Sequence, residues 1–364
     1  MNKLTKISIA FSISAVFVFA FFISPRTQNA QTSPAAPIRT PAVQPTATPT
    51  PEEDEVIRID TELVNLNVRI VDRNNRPVSN VTKNEIKVYE DNVLQTIDSF
   101  TKAEVPTNYA LVIDNSSSLR AQLDKVIEAS KIIVSTNRPL DETSVIRFVS
   151  SDKIEITQDF TSNKAYVNEA LDNLFIEGGQ TAIIDAVYLA AERVDSYEKS
   201  RDPNDKKRRA IILVSDGEDR DSYYNEQQLF NLLRESDVQI YAIGFTSDLS
   251  KDGGFISKSP KAKAEAFLKR LAEETGGKAY FPQSTAELDA IARDIAAELR
   301  TQYILSYYPT NPSRDGKFRS IKVVVDDGPN KQKRIAITRT GRSSAPENPG
   351  DRPTLQTTNT RPNN

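Results

Sequence analysis

Between residues 106 and 300, short apolar runs alternate with segments whose apolar residues recur every three or four positions. The runs predict strands at 109–113, 144–149, 153–157, 210–214, 238–243 and 278–281. The periodic segments predict helices at 119–135, 163–174, 182–196, 225–235, 262–275 and 285–300; in the first, Leu119, Leu123, Val126, Ile127, Ile133 and Val134 recur at helical spacing. Strand and helix in alternation predict an α/β fold, a doubly wound, mostly parallel sheet with helices on both faces. Such a sheet places ligands at the carboxyl ends of its strands.

The flanks follow a different period. Leu63, Val64, Leu66, Val68, Ile70 and Val71 form an alternating run that closes on a turn at 72–77, with further strands expected at 86–89 and 94–100. The far flank repeats the pattern with strands at 303–308, 321–325 and 334–338 and a turn at 311–316. Neither flank has enough strands to cover both faces of a sheet, so residues 56–105 and 301–342 are expected to form one small β-sandwich built from both chain ends, flanking a 106–300 domain.

The remainder of the chain is different again. Residues 7–23 are apolar apart from Ser8, Ser12 and Ser14 and follow Lys3 and Lys6, so 1–30 reads as a signal peptide or an N-terminal membrane anchor. Either reading places the rest outside the cytoplasm, secreted or anchored and facing outward. Pro34, Pro37, Pro41, Pro45, Pro49 and Pro51 make 31–55 a semi-extended Pro/Thr-rich linker, and 343–364 reads as a disordered tail.

Composition closes several routes to function. The chain has no His and no Cys, which removes the usual general base, the Ser-His and Cys-His pairs, thiolate metal sites and disulfides. A net charge of −3 gives no electrostatic case for nucleic acid. The basic stretch Lys206, Lys207, Arg208 and Arg209 is expected to be a solvated loop.

Three strand-terminal segments carry the candidate chemistry. The run 109–113 leads into Asp114, Asn115, Ser116, Ser117 and Ser118, which presents a carboxylate and two hydroxyls on alternate residues, hard oxygen ligands suited to Mg²⁺ or Mn²⁺. Capping of the following helix is the plainer account of that pentapeptide. Glu177, Gly178, Gly179, Gln180 and Thr181 precede the apolar helix, and Thr181 taken alone reads as its N-cap. The third segment, Asp216, Gly217, Glu218 and Asp219, follows a second buried-type strand; an isolated Asp-Gly is usually a turn.

In order and spacing these segments resemble the von Willebrand factor A-domain family over about 106–300. Residues 81–91, 302–309 and 315–319 are similar to the flanks of its bacterial secreted, acidobacterial-type branch. The resemblance implies a metal-ion-dependent adhesion site with Asp114, Ser116, Ser118, Thr181 and Asp216 around Mg²⁺ (or Mn²⁺ or Ca²⁺). Asn115, Ser117, Gly179, Gly217, Glu218 and Asp219 would lie close by, with Asp185 either orienting a ligand or serving as a helix N-terminal carboxylate.

Hydroxyls and only two carboxylates would leave a divalent cation under-neutralised, so that an acidic side chain of a protein partner completes its shell. The expectation is therefore an exported, cation-dependent protein-binding module whose partner is extracytoplasmic, and not an enzyme. A scaffold whose ion only stabilises it is the alternative. A metal-assisted hydrolase or transferase is the weaker one, because no placed base, nucleophile or phosphate loop accompanies the carboxylates.

Overall fold

The computed structural model describes residues 63–102, 105–197, 207–250, 259–313, 315–343 and 355–357. The expected signal or anchor, the linker and most of the tail lie outside these residues.

The first flank contributes β1 (Val64–Asp72), β2 (Ile86–Glu90), β3 (Val93–Gln95) and β4 (Ile97–Thr101). The turn after β1 is held by the Asp72 carboxylate, which accepts from the Asn74 and Arg76 amides at 2.8 and 2.9 Å. The central unit then runs β5 (Thr107–Asp114), α1 (Leu123–Ser135), β6 (Glu142–Phe148), β7 (Ile154–Thr161), α2 (Lys164–Asp172), α3 (Ile183–Ser196), β8 (Arg208–Ser215) and α4 (Glu226–Glu235). It continues through β9 (Val238–Gly244), α5 (Pro260–Thr275), β10 (Lys278–Tyr280) and α6 (Leu288–Glu298). The second flank adds β11 (Tyr303–Tyr307), β12 (Arg319–Val325), β13 (Arg334–Ile337) and β14 (Gly341–Arg342), and β15 (Gln356–Thr357) follows.

The central sheet has the order β10-β9-β8-β5-β6-β7-β15 and is parallel except where β7 runs antiparallel to β6. Its strands read as unbroken apolar runs because both faces are covered. In β5, Ala110 and Val112 pack with α3, α4 and α5, while Tyr109, Leu111 and Ile113 pack with α1, α2 and α6. After β5 the chain goes to β6 on one side and later returns to β8 on the other. A crevice therefore opens between the carboxyl ends of β5 and β8, the switch point at which α/β sheets bind ligands.

The flanks form two four-stranded antiparallel sheets, β13-β1-β11-β4 and β14-β12-β2-β3. Each combines strands from both ends of the chain, and Val64, Leu66, Val88, Leu305 and Val323 share one core between them. The sandwich is tied to the central unit by buried charge. Arg69 of β1 pairs with Glu298 of α6, and both are almost fully buried. Burial pulls the Arg69 guanidinium down, and the hydrogen bond and charge of Glu298 more than offset it.

Three expectations need correction. The strand at 94–100 is two strands: β3 pairs with β2 in one sheet and β4 with β11 in the other, the chain switching sheets at Thr96. Arg208 and Arg209 are not in a solvated loop but buried in β8, where the Arg208 guanidinium donates to the Leu299 and Gln302 carbonyls at 2.8 Å each. Those carbonyls stabilise the charge against burial, which lowers the Arg208 pKa to about 10. Finally, the expected disorder of 343–364 fails at 355–357: β15 adds to the β7 edge in parallel, and Leu355 packs against the core.

Candidate functional site

Three loops meet at the carboxyl ends of β5 and β8. The first leaves β5 at Asp114. It turns through Ser117–Leu119, a single 3₁₀ turn, before α1 begins at Leu123, so neither Asp114 nor Ser116 caps α1. Asp114 is fully buried. Its Oδ1 accepts from the Ser116 amide at 2.9 Å and its Oδ2 from the Ser215 hydroxyl at 2.8 Å. Ser116 and Ser118 share a hydroxyl–hydroxyl hydrogen bond of 2.8 Å, with Ser116 buried and Ser118 exposed. Two hydroxyl oxygens thus sit side by side above the strand end.

Asn115 and the glycines fasten the second loop to the first. The Asn115 side-chain amide donates to the Phe175 carbonyl at 2.6 Å, and the Glu177 amide donates to the Asn115 carbonyl at 3.1 Å. Asn115 is therefore a tie between loops. At Gly178 (φ +86°) a Cβ would come to 3.1 Å from the Ser117 hydroxyl, and at Gly179 (φ +121°) to 2.7 Å from Val149. Both positions combine a left-handed backbone with close approach, so glycine is required twice over.

Thr181 does not cap α3. The cap position is Ala182, and the Thr181 hydroxyl, in a side chain only 5% exposed, has no hydrogen-bond partner among the described residues. The start of α3 is satisfied from the third loop instead, where the Asp219 carboxylate accepts from the Ile184 amide at 3.2 Å and the Ser222 hydroxyl at 2.5 Å. The same loop grips Thr181 by its backbone, through the Arg220 amide donating to the Thr181 carbonyl at 2.8 Å.

In the third loop Asp216 is 4% exposed, and its Oδ1 accepts from the Glu218 amide at 3.0 Å. Its other carboxylate oxygen has no partner among the described residues. Gly217 (φ +82°) lies against α5, where a Cβ would meet Leu268 at 2.9 Å and Ala264 at 3.1 Å. Glu218 is ion-paired with Arg220. Asp185 lies in the first turn of α3, as expected of a helix N-terminal carboxylate. Its carboxylate accepts from the Tyr223 and Tyr224 amides at 2.8 Å each and from the Ser151 hydroxyl at 2.5 Å, which makes it a buried latch for the segment after the third loop.

Ser215 is the residue the sequence reading passed over. Its hydroxyl donates to Asp114 and accepts from the Gly217 amide at 3.1 Å, locking the first carboxylate to the third loop. The only sequence signal for it is a hydroxyl closing an otherwise apolar strand.

Electrostatically the crevice is short of positive charge. Burial pushes the Asp114 carboxyl up to about 6; hydrogen bonds from Ser116 pull it down and the neighbouring Asp216 charge pushes it up again. Among the described residues no three His, Cys, Asp or Glu side chains form a metal-binding group, so a cation here needs hydroxyl ligands. Two buried carboxylates, a serine pair and an unpartnered buried threonine fit a hard divalent ion.

A family model for the von Willebrand factor type A domain matches residues 108–294. Among solved structures, the chain is similar to a von Willebrand factor type A protein from Catenulispora acidiphila (13% identity, 77% of this chain and 74% of that one, TM-score 0.43). It is also similar to BatB from Bacteroides thetaiotaomicron (19%, 53% and 98%, TM-score 0.39). A third is proximal thread matrix protein 1 of the mussel byssus, solved with a zinc-occupied MIDAS motif (18%, 54% and 49%, TM-score 0.42). No curated protein matches the chain.

Proposed function

This chain belongs to the von Willebrand factor type A domain family, and from that premise we propose that it is an exported module that binds a protein partner through a divalent cation. Asp114, Ser116, Ser118, Thr181 and Asp216 would hold the ion, Mg²⁺ or else Mn²⁺ or Ca²⁺. When bound, it supplies an under-neutralised positive charge to which a carboxylate of the partner is drawn.

The observation that carries this reading is the convergence of side-chain oxygens from three loops, of which the Thr181 hydroxyl and one Asp216 carboxylate oxygen make no hydrogen bond among the described residues. Both belong to residues at most 5% exposed, at the crevice where the Asp114 carboxylate is already burdened by the Asp216 charge, so they are held in place yet left open to a ligand. Ser215 and Asn115 do not coordinate in this account; they fix the loops that do. Placement outside the cytoplasm rests on the apolar, lysine-led residues 1–30.

Titration calorimetry with Mg²⁺, Mn²⁺, Ca²⁺ and Zn²⁺ tests the site. Wild type should give saturable heat with Mg²⁺ or Mn²⁺, and Thr181→Ala should weaken it at least tenfold without lowering the unfolding temperature, since that hydroxyl makes no internal bond. Equal heats for the two proteins would remove Thr181 from the ligand set, and no heat from wild type would end the cation reading.

A further inference from the structure

On the β7 side, the central sheet is finished by a strand that comes from far along the chain. Gln356 and Thr357 of β15 lie opposite Glu155 and Ile156 of β7, in parallel. Leu355, half-buried, packs against the core cluster that holds Ile154 and Ile156. Without β15, the outer backbone groups of β7 would form an open edge, a template for pairing with another chain. Little in β7 blunts such an edge. It has no Pro and no Gly, and its charges are answered within the domain, Glu155 by Arg147 at 2.8 Å and Asp159 by Arg193 at 2.7 Å.

The seat on β7 is short, and that selects its occupant. β7 pairs with β6 in regular register from Ile154 to Ile156; beyond this the register shifts, so that Val145 faces Gln158. A strand bulged in this way offers only a short straight edge. Two β7 strands from neighbouring copies would not lie flat against each other there, whereas Leu355, Gln356 and Thr357 fit it. Ahead of them, Ser343 is fixed at α4, its amide donating to the Arg234 carbonyl at 3.2 Å. By sequence, residues 344–354 between the two include Pro346, Pro349 and Pro353. Proline-rich connections are stiff, and stiffness lowers the effective concentration of a tethered segment at a seat on its own chain.

We propose that the outer edge of β7 is a strand-exchange surface whose partner is a second copy of this chain, each copy giving residues 355–357 to the other. The exchanged segment makes the same contacts on either chain, so the pair forms without a new interface and closes on itself. Once one tail has crossed, the second exchange is intramolecular. Exchange does not depend on a bound cation.

The chain has no cysteine, so introduced thiols report this pairing cleanly. Register partners on adjacent strands lie within disulfide reach. Full chains carrying Glu155→Cys or Gln356→Cys, one with a size tag, are mixed and oxidised; Lys87→Cys, exposed on the sandwich, replaces Glu155→Cys in the control. The mixed disulfide dimer should form well above the control, and Leu355→Asp in the Gln356→Cys chain should cut it about tenfold. A yield no higher than the control overturns exchange, because a tail seated only on its own chain forms no mixed product. A yield untouched by Leu355→Asp overturns it as well. Sedimentation needs no cysteine: the dimer fraction of wild type should rise with concentration and fall on Leu355→Asp, and equal fractions for the two proteins would also overturn exchange.

Discussion

At the seam between the sandwich and the α/β unit, Arg69 and Glu298 are 4% and 1% exposed and answer each other's charge. At the carboxyl end of the sheet, Thr181 and Asp216 are buried as deeply, at 5% and 4%, yet each keeps an oxygen with no partner among the described residues. The seam continues its pattern elsewhere. Arg208 is met by two carbonyls, and inside the sandwich Glu90 is met by Arg342 at 3.0 Å and the Tyr307 hydroxyl at 2.7 Å. Depth alone thus says little about purpose. At the seam the buried charge is answered from within, although the Arg69 and Arg208 Nε atoms stay unpaired, and this fixes the architecture; the crevice oxygens lie outside the fully buried set and are disposed to take a ligand.

The contrast breaks first at the seam if it is wrong. Glu298→Gln leaves the Arg69 charge buried without its partner, and should cost about 3–5 kcal/mol in urea unfolding while leaving cation affinity unchanged. A loss below 1 kcal/mol would mean that the seam is not the structural bond described here.

Asp114→Asn sharpens the other side. In the cation-free protein the folded-state pKa of Asp114 is raised from 3.8 to about 6. Its contribution is therefore fully present below pH 3.8 and lost as pH rises through about 6, a swing on the order of 3 kcal/mol. The variant should flatten that slope between pH 4 and 8 without destabilising the protein at pH 7. It should also abolish the rise in unfolding temperature that Mg²⁺ gives wild type, worth about 2.7 kcal/mol at a hundredfold excess over Kd. Urea titrations across pH, with and without Mg²⁺, measure both.

The smallest effect is at the edge of the sandwich. Glu85 accepts from the Thr82 amide and hydroxyl and pairs with Arg334 at 2.7 Å, and these bonds lower its pKa from 4.5 to about 2. The stability it confers is present above pH 4.5 and lost as pH falls through about 2. Glu85→Gln should blunt acid unfolding in that window alone, followed by circular dichroism.

What could be read in the sequence divides along the same line. The β5 run was legible because helices cover both its faces, so burial appears as an unbroken apolar word. The convergence of sandwich strands from both ends was legible because neither flank could cover itself. The break at Thr96 was not, since β3 and β4 lie end to end and a change of sheet leaves no mark on composition. Arg208 was misread because a charged run signals solvent unless the Leu299 and Gln302 carbonyls, in the turn between α6 and β11, are known to be waiting. The three loops of the crevice were visible as strand-terminal oxygens. The roles of Ser215, Asn115 and Asp185 depend on neighbours 101, 60 and 38 residues away, and no local pattern records those.

The pairing of β1 with β11 runs Val64 against Tyr307 and Val68 against Tyr303, closing the sandwich around the two points where the central unit is inserted. A pull applied to the chain ahead of Val64 would be borne by β1 through its pairings with β11 and β13. The crevice between β5 and β8 belongs to the inserted unit, so tension from that end would run through β1 to β4 before it reached the three loops.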